Sequence, residues 1–144
     1  MTKQLYEPFE RLESAFARRD IDALMGCWSD DIAYCSPNGA IAGVAARVAA
    51  EHVWLNAFPD VVIERVREFV CDDTVILEGV MRGTHLGPLA TPDGTAPPTG
   101  RTIVGRYVSI MSFVDGKVVD QKVYFDRLDL MEQLGLLPDA EAAA

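Results

Sequence analysis

Residues 102–126 read TIVGRYVSIMSFVDGKVVDQKVYFD, and this stretch decides the fold. Its apolar and β-branched residues predict two strands, Ile103 to Val114 and Val118 to Phe125. Asp115-Gly116 between them is a strong signal for a tight hairpin turn. A long antiparallel hairpin is therefore the centre of the predicted architecture.

A second hairpin is predicted upstream of the first. Val61 to Cys71 reads as a half-exposed strand whose imperfect alternation indicates a bulge, and Thr74 to His85 alternates more regularly. Asp72-Asp73 supplies the turn between them. Pro88 to Arg101, rich in Pro, Gly and Thr, predicts a long loop of the kind that forms a lid or rim.

Helical periodicity dominates the first part of the chain. Leu5, Phe9, Leu12 and Phe16 recur at spacings of three and four, which predicts an amphipathic helix. The other short elements predicted are a helix capped by Asp20, a strand from Ile32 to Cys35, a helix from Val44 to Ala57 and a helix from Leu128 to Leu134. Helices followed by an antiparallel meander indicate an α+β fold, a cone-shaped curved antiparallel sheet wrapped around N-terminal helices. A ligand would lie between these two layers.

Composition narrows the classes of function. The chain has 144 residues with 13 Lys and Arg against 22 Asp and Glu, a net charge of -9. This excess of acid argues against nucleic acid as a partner. No apolar run reaches membrane-span length and the first residues lack a signal-peptide core, so we expect no membrane association and a cytoplasmic location. Three cysteines without CxxC spacing indicate neither a disulfide framework nor a metal site.

Several short motifs, in this order and spacing, resemble one known family. They are Phe58-Pro59-Asp60, Gly83-Thr84-His85-Leu86-Gly87-Pro88-Leu89, Pro97-Pro98-Thr99-Gly100-Arg101, Asp115-Gly116-Lys117, Tyr124-Phe125-Asp126 and Gln133-Leu134-Gly135. Together they resemble the SnoaL-like polyketide cyclases, which share the ketosteroid-isomerase-like, nuclear-transport-factor-like cone fold. The resemblance implies a single cone domain over residues 1–137. The Asp-Ala-Glu-Ala-Ala-Ala sequence at the end of the chain predicts a disordered tail over residues 138–144. The resemblance also implies a homodimer.

The resemblance further implies an intramolecular aldol reaction on a folded polyketide ester, without a metal or an organic cofactor. Such chemistry requires a carboxylate with a raised pKa and hydrogen-bond donors facing the developing enolate oxygen. The family's catalytic aspartate corresponds to Val123 here, and a histidine of characterised cyclases corresponds to Ser109. The base of the related ketosteroid isomerases corresponds to Ser36. The usual acid-base residues are thus replaced in this chain.

Strand alternation predicts which side chains of the sheet line the cavity, whereas Phe16 and Trp28 at helical spacing are either core residues or part of the cavity wall. Two glycines among the sheet positions would leave volume for a ligand or mark bends in the sheet. The expected pocket residues are Phe16, Trp28, Tyr34, Ser36, Gly79, Met81, Gly105, Tyr107, Ser109, Met111, Gln121, Val123 and Phe125.

Three residues are candidates to replace the missing aspartate. His52 would be the strongest base if it points inward from the third helix rather than to solvent. His85 is either a proton shuttle or a strand-end histidine hydrogen-bonded to the predicted loop. Asp126 is either an acid-base residue turned inward by a bulge or the cap of the last helix.

Two functions are favoured at this point, and a third, a purely protein-binding adaptor, would leave the predicted loop and the pocket glycines without a role. One is a cofactor-independent cyclase or isomerase acting on a hydrophobic polyketide-like or steroid-like carbonyl compound. The other is a non-catalytic protein of the same fold that binds a hydrophobic small molecule.

Overall fold

The hairpin of residues 102–125 occupies the centre of a six-stranded sheet. The computed structural model describes residues 3–137, so the tail expected at 138–144 lies outside the described residues. The elements in chain order are α1 (Lys3–Ala17), α2 (Ile21–Cys27), β1 (Trp28–Ser36), β2 (Gly39–Ala42), α3 (Val44–Ala57), β3 (Val62–Cys71), β4 (Thr74–Thr84), β5 (Leu89–Thr91), β6 (Gly94–Ala96), β7 (Thr102–Val114), β8 (Lys117–Phe125) and α4 (Arg127–Leu134).

The strands of the main sheet follow the order β2-β1-β8-β7-β4-β3. Neighbours are antiparallel except β1 and β8, which run parallel. The predicted α+β cone is therefore confirmed, with one parallel pair in a sheet expected to be wholly antiparallel. The parallel pair arises because β1, which forms a hairpin with β2 on one side, meets the last strand of the chain on its other side.

Local capping signals set the helix ends. Asp20 accepts a hydrogen bond from the Ala23 amide at 3.0 Å and begins α2. Asp126 likewise accepts from the Asp129 amide at 2.9 Å and begins α4. Gly135, with φ of 71°, ends α4 in the left-handed conformation that favours glycine. None of the helices between residues 3 and 137 combines the length and hydropathy of a membrane span.

The register of the main sheet shifts at three places, one of which lies between Trp28 and Ala33, where β1 pairs with β8. The predicted bulge in β3 is confirmed by a register shift between Arg65 and Arg67. The third shift lies opposite the start of β8, where Phe113 pairs with Val118. Regular alternation from Val123 would turn Val119 inward, but the bulge changes the phase of the strand and Val118 is completely buried instead.

Residues 86–101, which we name the strap, are more ordered than the predicted loop. They contain the small β5–β6 hairpin, closed by the turn at Pro92-Asp93. The Leu86 and Gly87 amides donate to the Ala57 carbonyl at 3.0 and 3.2 Å, which ties the strap to the end of α3. A Cβ at Gly87 would overlap the Asn56 carbonyl, so only glycine permits this approach.

Two clusters of buried apolar side chains fill the interior. The central cluster lies between α1, α2 and the sheet, and its largest members are Phe9, Leu24, Trp28, Ile32, Leu77 and Met111. The strap cluster packs the strap against α4 and the end of α3, and comprises Ala57, Phe58, Val61, Leu89, Ile103, Leu130 and Leu134. Phe16 packs against both clusters.

Candidate functional site

A cavity of about 550 Å³ lies between the helices and the concave face of the sheet. Its walls are mainly apolar and aromatic, and the Trp54 ring meets the Phe125 ring edge-on with centroids 5.6 Å apart. The polar side chains that reach it are Glu13, Tyr34, Arg47, Glu51, Arg106, Tyr107, Ser109, Gln121, Asp126, Asp129 and Gln133. A cavity of this size with a mainly apolar wall and polar side chains reaching into it is typical of a small-molecule site.

A buried chain of polar side chains forms one wall. Arg47 Nη1 donates to Glu51 Oε2 at 2.7 Å, and these two residues of α3 are each only 6% exposed. Arg47 Nε and Nη2 lie 3.4 and 3.3 Å from Gln121 Oε1. Gln121 Nε2 in turn donates to Ser109 Oγ at 3.0 Å. We call Glu51, Arg47, Gln121 and Ser109 the polar chain.

Two aromatic rings hold the Arg47 side chain. Its guanidinium carbon lies 4.2 Å from the centre of the Trp28 ring and 4.3 Å from the centre of the Tyr34 ring. Both separations allow a cation–π attraction to a side chain that is already ion-paired. Burial raises the pKa of the Tyr34 phenol, although the Arg47 charge opposes this effect.

Glu13 on α1 is the acidic side chain with the most altered acidity in the cavity. Loss of water around the carboxyl raises its pKa to about 7, against the lowering effect of Arg65, and the Glu10 and Glu68 charges raise it further. A carboxyl group with this pKa exchanges protons readily near neutral pH. Glu13 therefore has the property expected of a general acid-base residue.

Tyr107 reaches into the cavity because residue 79 has no side chain. Gly79 lies directly opposite Tyr107 in the β4–β7 pairing, and a Cβ there would come within 2.7 Å of the phenol ring. Burial raises the pKa of Tyr107, and the negative charges of Glu13 and Glu51 raise it further. The phenol thus stays protonated and is available as a hydrogen-bond donor.

Most of the expected pocket residues reach this cavity. Those that line it are Phe16, Trp28, Tyr34, Met81, Gly105, Tyr107, Ser109, Met111, Gln121, Val123 and Phe125. No atom lies within 4 Å of the position that a Cβ on Gly105 would occupy, which agrees with its expected role in leaving space. The expectation that Gly79 leaves space too is wrong, because the Tyr107 ring fills that space.

The three candidate replacements for aspartate lie in different surroundings. His52 is exposed, because the inner face of α3 presents Glu51 and the next residue is rotated by about 100° around the helix. Asp126 lies at the edge of the cavity and caps α4, which is the second of the two roles expected for it. Ser36, an expected pocket residue, lines instead a separate groove of about 230 Å³, which shares Tyr34 and Trp54 with the cavity.

His85 is fully buried beneath the strap and does not line the cavity. Its Nδ1 accepts from the Thr99 amide at 3.2 Å and lies 3.0 Å from the Thr99 hydroxyl. Burial lowers the pKa of His85 and keeps the ring neutral. The structure thus places this residue as the strand-end histidine hydrogen-bonded to the strap.

Sequence reasoning missed Glu13, Arg47, Glu51 and Trp54. Glu13 follows Phe9 by four residues, so it shares the inward face of α1 with the apolar residues. Arg47 and Glu51 are spaced by four in an alanine-rich helix, which signals an ion pair on one face. Among residues 3–137, no three His, Cys, Asp or Glu side chains are grouped as a metal site.

Comparison with known proteins identifies the family to which the chain belongs. The family model described as SnoaL-like polyketide cyclase matches residues 8–134. AclR from Streptomyces galilaeus, named as a candidate hydroxylase, is 28% identical with a TM-score of 0.80, covering 96% of this chain and 89% of its own. No curated protein matches the sequence.

Two further solved structures share the fold. A protein from Jannaschia sp. CCS1, named as a candidate SnoaL-like polyketide cyclase, is 22% identical with a TM-score of 0.82 and 94% of both chains covered. IdmH from Streptomyces antibioticus, named as a candidate polyketide cyclase, is 20% identical with a TM-score of 0.75, covering 93% of this chain and 99% of its own.

Proposed function

The chain belongs to the family of SnoaL-like polyketide cyclases, and from this premise we propose that it is a cyclase or isomerase with Glu13 as its general base. Its substrate is a hydrophobic polyketide-like carbonyl compound with an acidic C–H bond. The observation that carries the proposal is a carboxyl group with a pKa of about 7 that faces an otherwise largely apolar cavity.

The polar groups around the cavity support an aldol sequence. The Glu13 carboxylate removes the acidic proton, and the electron pair left on carbon forms an enolate. The Ser109 and Tyr107 hydroxyls donate hydrogen bonds to the enolate oxygen, which gains negative charge in this step. The enolate carbon then attacks a second carbonyl of the same molecule, and the new alkoxide takes the proton back from Glu13. No net oxidation or reduction occurs.

The arrangement also supports the position of the base. Val123, which the family resemblance aligns with the catalytic aspartate, lines the same cavity as Glu13. The carboxylate would thus have moved from β8 to α1 while still reaching the same enclosed space. The aromatic walls formed by Trp54, Phe125 and Phe16 favour a flat, fused or unsaturated substrate.

Proton exchange on 2-tetralone tests the first step without the natural substrate. This ketone is bicyclic, hydrophobic and carries acidic C–H bonds. In D₂O, we expect the protein to accelerate deuterium incorporation, with a rate that rises with pH through about 7 as Glu13 loses its proton. Glu13→Gln removes the base, and we expect the rate to fall by about 100-fold or more.

Glu7→Gln is the matched control, because Glu7 is an exposed carboxylate on the same helix. This variant keeps the wild-type rate if the proposal is right. Equal rates for Glu13→Gln and wild type would contradict it. Binding of 2-tetralone with no accelerated exchange would instead favour the non-catalytic binding protein, which the loss of the aspartate at Val123 makes the second candidate.

Homodimer formation and a cytoplasmic location stay predictions. Phe69 and Tyr124 on the outer face of the sheet are 53% and 58% exposed, which is consistent with a surface available for pairing. Sedimentation equilibrium of the wild-type protein would give the oligomeric state directly.

A further inference from the structure

The polar chain has a direction, and this direction follows from the chemistry of arginine. A guanidinium group carries only donors, so the Gln121 atom that faces Arg47 must be its carbonyl oxygen. The Gln121 amide nitrogen then faces Ser109 and donates to its oxygen at 3.0 Å. The order of donor and acceptor is thereby fixed from Glu51 through to Ser109.

In this arrangement, the Ser109 hydroxyl hydrogen has no acceptor among the described residues. Its oxygen already accepts from Gln121, and within residues 3–137 the hydroxyl donates to no protein acceptor. Ser109 is only 3% exposed and lines the cavity. A buried hydroxyl with a free hydrogen is a donor waiting for an oxygen or nitrogen acceptor.

Stability alone does not account for the polar chain. Burying an ion pair is costly, and apolar side chains of similar volume in its place are often neutral or stabilising. Here, Arg47 is also clamped between Trp28 and Tyr34, which restricts the guanidinium to one position. This rigidity is what is needed to hold a neighbouring amide in a single orientation.

We propose that Glu51, Arg47 and Gln121 are positioning residues that fix the Ser109 hydroxyl as a donor, so that the cavity selects ligands with a carbonyl or enolate oxygen at that point. This inference deepens the proposed function and rests on it for the class of ligand. The positioning residues act through Ser109 and do not themselves move a proton.

Reversing the amide tests the direction of the chain. In Gln121→Glu, the carboxylate still accepts from Arg47 but has no N–H group, so the Ser109 hydroxyl turns to donate to it. In Gln121→Met, the relay is removed, but the Ser109 hydrogen stays free. If Gln121 only filled space or held Arg47, the near-isosteric Glu would be the milder change. The proposal expects the opposite order.

The readout is the equilibrium affinity for two bicyclic probes by isothermal titration calorimetry. They are 2-tetralone, which has a carbonyl oxygen, and tetralin, which has none. We expect Gln121→Glu to weaken the affinity for 2-tetralone by about tenfold and Gln121→Met to weaken it by less. Neither variant should change the affinity for tetralin by more than about twofold. Ser112→Ala, whose hydroxyl pairs with Thr74 at 3.1 Å, is the control on the same strand.

Equal weakening of both probes, an unchanged affinity for 2-tetralone in Gln121→Glu, or no measurable binding of 2-tetralone to the wild type would overturn the inference. Proton exchange in H₂O gives back the same ketone, so the titration reports binding alone and its result is separate from that of the exchange assay. If Glu13→Gln keeps the exchange rate while the probe order holds, the proposed base is wrong and the inference about Ser109 stands.

Discussion

Glu13 and His85 are both titratable side chains withdrawn from water, yet their surroundings differ. Glu13 faces the cavity, and no protein donor among the described residues hydrogen-bonds its carboxyl group. His85 lies under the strap, with its Nδ1 committed to Thr99. Burial favours the neutral form of both groups, so it raises the pKa of Glu13 and lowers the pKa of His85. An altered acidity therefore indicates function only where a ligand can reach the group.

The same contrast extends to the regions around them. The cavity side contains open volume and paired charges, whereas the strap side is tightly packed and tied by backbone hydrogen bonds. Substitutions on the cavity side should therefore change stability by altering charge, and substitutions on the strap side should change it by altering side-chain volume.

The largest effect is expected at the buried ion pair. Arg47→Met leaves the Glu51 carboxylate without its partner, and we expect the free energy of unfolding to fall by about 3 kcal/mol. The double variant Arg47→Met/Glu51→Met removes both charges and should recover most of this loss. Urea unfolding of both variants at pH 7 measures the difference. A double variant as unstable as the single one would show that packing, and not charge, dominates this wall.

The second largest loss of stability is expected from added side-chain volume at the strap. In Gly87→Ala, the new methyl group overlaps the Asn56 carbonyl, so the strap must move away from α3. We expect a loss of about 2 kcal/mol. Gly105→Ala is the matched control in the cavity, because nothing lies within 4 Å of its new Cβ. Thermal unfolding of the two variants should separate them, and equal losses would contradict the contrast between the two regions.

The sign of the pH dependence distinguishes the two titratable groups. Because the pKa of Glu13 is raised from 4.5 to about 7 on folding, its contribution to stability is present at low pH and is lost as pH rises through about 7. Glu13→Gln should therefore be more stable than wild type by about 1–2 kcal/mol at pH 8, after allowance for solvent screening, and almost equal to it at pH 5. Denaturant unfolding at both values tests this, with Glu7→Gln as the control.

His85 should show the opposite sign and a smaller effect. Its pKa is lowered by burial, so its contribution is present above its ordinary pKa of 6.5 and is lost as pH falls below that value. Protonation of Nδ1 would also break the hydrogen bond that this atom accepts from the Thr99 amide. Unfolding measurements between pH 7 and 5 should show a smaller acid loss in His85→Gln than in wild type. An identical acid loss in both would contradict this assignment.

Local signals in the sequence predicted most of the fold. The bounds of α3, both long hairpins and the Asp126 cap follow from periodicity and turn residues, which act over a few positions. The parallel contact between β1 and β8 and the phase change at Val118 depend on how distant strands meet. No local pattern specifies these features.

The site was harder to predict for the same reason. Chemistry alone pointed to His52 and His85, because histidine titrates near neutral pH. The direction in which α3 presents its side chains selects Arg47 and Glu51 instead of His52, and that direction is set by packing onto the sheet. Glu13 would have been found by treating its position on the apolar face of α1 as unusual for a carboxylate.

The parallel pairing of β1 with β8 has a consequence for biosynthesis. Gln121 is synthesised 74 residues after Arg47, and Trp28 pairs with Val118. The β1–β2 hairpin can form early, but the pairing of β1 with β8 can form only after the last strand has been made. Contacts this far apart in sequence slow folding, because a long loop has to close before they form. During translation, the Arg47 guanidinium and the Trp28 and Tyr34 rings beside it therefore stay exposed to water until β8 has been made and encloses them.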